Sequence, residues 1–74
     1  MAEKHKFDFE LAKQEDNEPL HAEGWLEHMS GVGSYAWFDF VLAAGTLNVR
    51  LRLDTKHLLE LRRAVNDALD EVLW

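Results

Sequence analysis

Hydrophobic and polar residues alternate in four stretches of this chain, and the pattern then changes to a helical period. Phe7, Phe9 and Leu11 alternate with Lys6, Asp8 and Glu10, as in a strand with one face buried. The segment Gln14-Glu15-Asp16-Asn17-Glu18-Pro19 interrupts the alternation with a polar, acidic, proline-containing turn. A second strand from Leu20 to Met29 places Leu20, Ala22 and Leu26 inward and His21, Glu23, Trp25 and Glu27 outward, with Gly24 as a candidate bulge.

Ser30-Gly31-Val32-Gly33-Ser34 forms a glycine-rich turn, and a third strand starts at Tyr35. On it, Phe38, Phe40 and Leu42 share one face, while Tyr35, Trp37, Asp39 and Val41 share the other. Ala43-Ala44-Gly45 reverses the chain, after which Leu47, Val49, Leu51 and Leu53 alternate strictly with Asn48, Arg50 and Arg52. Matching the buried faces of this last hairpin pairs Leu42 with Leu47, Phe40 with Val49 and Phe38 with Leu51. The same register sets Asp39 opposite Arg50 and Trp37 opposite Arg52 on the outer face, both favourable cross-strand pairs.

Asp54 and Thr55 are each able to cap the first turn of a helix. At about 100° per residue, Leu58, Leu61, Val65, Ala68, Leu69 and Val72 form one apolar stripe. Glu60, Arg63, Asp67 and Asp70 lie opposite it, Leu59 falls outside it, Leu73 stands at its margin and Trp74 lies beyond. The pattern predicts an α+β fold of order ββββα. Its antiparallel β-meander has strands over about 5–12, 20–29, 35–43 and 46–53, packed on one face by a C-terminal amphipathic α-helix over about 55–73. Residues 1–74 read as one domain and as a complete small gene product.

The net charge is −6, from 14 Asp and Glu against 8 Lys and Arg. This balance disfavours direct nucleic-acid binding and favours a protein partner with a basic surface. There are no cysteines, so disulfides, thiolate chemistry and cysteine-ligated zinc are excluded. The N-terminus has no signal-peptide pattern and no apolar run approaches the roughly 20 residues of a membrane helix, so the cytoplasm is the expected location.

The four histidines, His5, His21, His28 and His57, form no ligand pair at metal-binding spacing, and no metal is expected. Ser30 and Ser34 lie in the glycine turn without a strand-to-helix elbow, and no lysine follows Gly31-Val32-Gly33 as a phosphate loop requires. Neither an enzymatic activity nor a cofactor is expected.

Three surfaces remain as candidates. Trp25, Tyr35 and Trp37, with Asp39, Arg50 and Arg52, make an outer sheet face rich in the residue types of binding hot spots. Glu15, Asp16, Glu18, Glu23, Glu27, Asp67, Asp70 and Glu71 supply an acidic surface that steers basic partners or, more sharply, imitates the phosphates of a nucleic acid. Leu59, Leu73 and Trp74 offer a self-association surface, with a symmetric homodimer as its simplest product.

The leading expectation is a small acidic non-enzymatic module that acts by protein–protein interaction. Its sharper form is a viral or mobile-element inhibitor of a nucleic-acid-handling machine. The rival is a structural homo-oligomer that buries the aromatic face between subunits.

Overall fold

The computed structural model describes residues 3–11 and 20–74. Strands β1 (Lys4–Leu11), β2 (Leu20–Ser30), β3 (Trp37–Ala44) and β4 (Leu47–Asp54) form one antiparallel sheet in the order β1-β2-β3-β4, and helix α1 (Thr55–Leu73) follows. The architecture is the ββββα meander that the alternation predicts. The acidic turn expected over 14–19, with Glu15, Asp16 and Glu18, lies outside the described residues, as does residue 12 of the first predicted strand.

Pairing of Phe7 with Gly24, Phe9 with Ala22 and Leu11 with Leu20 puts the apolar residues of β1 and β2 on one face. The β2–β3 ladder continues that face, with Ala22 opposite Ala44, Gly24 opposite Leu42 and Leu26 opposite Phe40. Gly24 is no bulge; the register shift lies between His28 and Ser30. A glycine is required at position 24 for another reason. A Cβ there would meet the Val41 carbonyl oxygen and the Phe7 ring, whose Cζ would be 2.7 Å away.

The β3–β4 register differs by two residues from the one that face matching predicts. Ala44 pairs with Leu47, Leu42 with Val49, Phe40 with Leu51 and Phe38 with Leu53. A shift of two leaves every side chain on its own face, so hydrophobic pattern alone cannot distinguish the two registers. The turn does. Gly45, with φ of 62°, occupies the first central position of a two-residue Gly45-Thr46 connection, the position at which a tight hairpin of this kind takes glycine.

Tyr35 also departs from expectation. It lies in a 3₁₀ turn, Gly33–Tyr35, rather than on β3, and is 88% exposed. Gly31 and Gly33 take positive φ, and the Tyr35 and Ala36 N–H groups donate to the carbonyls of Val32 and Gly33 at 3.1 and 3.3 Å. The chain therefore re-enters the sheet only at Trp37.

No residue separates β4 from α1. Asp54 ends the strand in extended conformation and is also the helix N-cap. Its carboxylate accepts the His57 N–H at 3.0 Å, while its own N–H donates to His57 Nδ1 at 3.1 Å, a reciprocal capping box. Thr55 fastens the junction to the turn before β3, because its N–H donates to the Ala36 carbonyl at 3.2 Å and its hydroxyl to that of Gly33.

The helix therefore leaves from the β4 side of the sheet, resting on β4 and the 3₁₀ turn, and none of its residues is buried. The cover over the apolar face that an amphipathic stripe predicts is thus much less than expected: Leu58 is half-buried, while Leu61, Val65, Leu69 and Val72 are exposed. The Cα radius of gyration is 14.8 Å, against about 11 Å for a compact domain of this length.

The hydrogen bond from the His57 backbone N–H holds the Asp54 carboxyl below its ordinary pKa. A carboxyl depressed in the folded state stabilises fully above its unfolded value, about 3.9. That contribution is lost as pH falls through the folded-state value. Helix ellipticity should decline below about pH 4 in part through this group. In Asp54→Asn, whose side chain caps without titrating, the acid limb should be shallower; an unchanged limb would remove Asp54 from the transition.

Candidate functional site

The outer face of the sheet carries Trp25 on β2 and Trp37 on β3, both half-buried. Lys4 Nζ lies 4.5 Å from the centroid of the Trp25 ring, and the Arg52 guanidinium lies 4.1 Å from that of Trp37. Glu27 and Asp39 are directly opposed across β2 and β3, an arrangement unfavourable for like charges alone. Each has a cation nearby. Lys4 is the cross-strand partner of Glu27, and Arg50 Nη1 approaches Asp39 Oδ2 at 3.4 Å.

The two outer-face contacts inferred from sequence, Asp39 with Arg50 and Trp37 with Arg52, are therefore present. They form diagonally, because Asp39 is directly opposite Arg52, and Trp37 is opposite Asp54. The Trp25 indole N–H is buried without an acceptor among the described residues, a deficit of about 1–3 kcal/mol. Of the six predicted partner-binding residues, Trp25, Trp37, Asp39, Arg50 and Arg52 share this face, and Tyr35 stands apart.

This face largely satisfies itself: a cation covers each indole, and Asp39 is only 13% exposed at its side chain. Arg52→Ala should cost about 0.5–1 kcal/mol through the lost cation–π contact, with a shift in Trp37 emission. Size in solution should not change, and an altered mass would place Arg52 at a subunit contact.

The opposite face is different. The Phe7 ring stacks near Phe9 and Phe40, with centroids 6.3 and 6.1 Å apart, yet Phe9, Leu11, Leu47 and Leu51 are about half exposed. Among the described residues, the buried hydrophobic side chains are those of Ala22 and Ala36 alone. A sheet in a closed domain hides such a face beneath a second layer. Among the described residues no second layer lies over that face, whose Phe7, Leu26, Phe38, Phe40 and Leu42 are only half-buried, and the α1 stripe beyond Leu58 is exposed. Sequence reasoning assigned both to the core and so did not expect their exposure. The signal that could have found them is the missing connection between Leu53 and Thr55, which gives the helix no turn with which to fold back.

The acidic residues among those described are dispersed. Glu23 approaches His21 at 3.7 Å on the outer sheet face; on α1, Asp67 pairs with Arg63 at 3.5 Å and Asp70 accepts the Trp74 indole N–H at 3.1 Å. Glu71 is exposed, as are Leu59, Leu73 and Trp74. Exposed pairs of this kind contribute little to stability.

A cleft of about 180 Å³, lined by Lys6, Phe7, Asp8, Glu23, Gly24 and Trp25, is smaller than the roughly 300–1,000 Å³ of ligand pockets. Among the described residues, no three His, Asp or Glu side chains group so as to hold a metal ion, and no helix is long and apolar enough to cross a membrane. Comparison with protein-family models, with curated proteins and with solved structures found no match to this chain.

Proposed function

We propose that this chain is a non-enzymatic protein-binding module whose contact surface is the apolar face of the sheet together with the apolar stripe of α1. One observation carries the reading: among the described residues the sheet's apolar face is at most half-buried and the α1 stripe beyond Leu58 is exposed, while the buried hydrophobic residues are Ala22 and Ala36. Apolar surface of this extent in a folded chain marks a contact with another macromolecule. The outer Trp25–Trp37 face is the weaker candidate, because its two indole rings and the Asp39 carboxylate already have partners within the chain. Glu23, Glu27 and Asp39 lie on that outer face, and Glu60, Asp67 and Asp70 on the helix side opposite the stripe. The acidic charge thus borders the apolar seam without crossing it, and remains free to steer an approaching basic surface.

A photo-crosslinking side chain tests the assignment directly. Placed at Leu51 on the apolar face or Leu61 on the stripe, it should join the chain to another polypeptide. At Asn48 or Glu60, which point away, it should give little product. Equal yields at all four positions, or none at Leu51 and Leu61, would sink the reading.

A further inference from the structure

Resting on that reading, we infer that the occupant of this surface is a second copy of the same chain, related by a two-fold axis, with each α1 laid along the apolar face of the other copy's sheet. The zero-residue junction is the first reason. Strand-to-helix connections that lay a helix back over its own sheet generally take about 2–6 residues, whereas here Asp54 is both the last strand residue and the N-cap. Thr55, bonded to the Ala36 carbonyl, fixes the exit, so the helix is held away from the face it matches.

The second reason is complementarity of shape and number. A helix of 19 residues is about 28 Å long, and strands of 8 residues run for about 27 Å. The helix therefore matches the strands in length, and its stripe from Leu58 to Val72 covers about 21 Å of them. Among the described residues, α1 touches the sheet only along β4 and leaves the apolar face without a second layer, and one reciprocal exchange supplies both a cover for the sheet and a surface for the stripe. Such an exchange is isologous and closes at two copies.

Area is the third reason. The chain exposes 6309 Å², roughly 1,600 Å² more than the ~4,700 Å² of a compact monomer of 8.6 kDa. Two chains hiding that excess would bury about 3,200 Å² together, within the roughly 2,000–5,000 Å² of obligate homodimers. The carboxylates of Glu27, Asp39, Glu60 and Asp67 all lie away from the seam, so they do not oppose the contact locally.

Sedimentation equilibrium of the full chain, with crosslinking from a photo-reactive residue at Leu61 in a mixture of isotopically light and heavy chains, decides the matter. A mass twice that of one chain at micromolar concentration, with light–heavy adducts mapping to Phe9, Leu47 or Leu51, is the expected result. Leu61→Glu with Val65→Glu should return the mass to that of one chain. If that variant fails to fold, the adduct positions on the native sequence still decide.

A folded chain that stays monomeric at the highest soluble concentration overturns the second copy. If that monomer binds a hydrophobic dye strongly, the binding-module reading stands with a different partner; if it binds none, both fall. A dimer whose adducts form through Trp25 and Trp37 also overturns the inference.

Discussion

A chain carrying Gly24→Val is expected to lose the meander altogether. Position 24 lies on the second strand, between Phe7 of β1 on one side and Leu42 of β3 on the other. Any Cβ there runs into the Val41 carbonyl oxygen, which belongs to the backbone, and into the Phe7 ring. Neither obstacle moves cheaply. Moving the carbonyl distorts the β2–β3 ladder, and moving the ring breaks its stacking with Phe9 and Phe40.

Overpacking of this kind typically costs about 1–3 kcal/mol, and valine adds two further methyl groups to the clash. A domain of this length holds roughly 4–11 kcal/mol in total, and one so sparsely buried belongs at the low end. Far-UV circular dichroism and thermal melting are the measurements. The β signal should be lost for Gly24→Val and the Tm lowered for Gly24→Ala. An unchanged Tm for both would show that the ladder is looser there than described.

The second large effect is a dependence of stability on protein concentration. If another copy completes the fold, unfolding releases two chains, and each tenfold rise in concentration stabilises the assembly by about 1.4 kcal/mol. The corresponding rise in Tm is roughly 3–6 °C for an assembly of this size. A dilution series followed by circular dichroism measures it. A melting curve independent of concentration would mean that the sheet and helix are stable without association. Leu61→Glu should flatten the dependence, whereas Arg52→Ala, on the outer face, should lower every point equally.

The strands were legible because their alternation is strict: Leu47, Val49, Leu51 and Leu53 on one side and Asn48, Arg50 and Arg52 on the other admit no second period. The outer cluster of Trp25, Trp37, Asp39, Arg50 and Arg52 followed from the same parity. Parity is also where legibility ended. A slip of two residues preserves it, and only the Gly45-Thr46 turn chose the register observed. Parity likewise assigned Tyr35 to the outer face, although the positive φ of Gly31 and Gly33 winds that segment into a turn. The largest gap concerns Leu61, Val65 and Leu69. An amphipathic stripe states that an apolar surface must meet it, but it carries no information on which chain that surface belongs to.

The direct passage from Asp54 to Thr55 also makes the valency of the molecule a matter of tether length. About six glycine and serine residues inserted there would span some 13 Å on average, more than the ~10 Å between packed layers. The helix of such a chain could then reach its own sheet at an effective concentration in the millimolar range, above any ordinary concentration of a second copy. If the chain associates as proposed, a handful of residues with no contacts of their own would turn it into a self-contained one. The shortness of that joint, more than any side chain on either surface, is what holds the α1 stripe away from the chain's own sheet face.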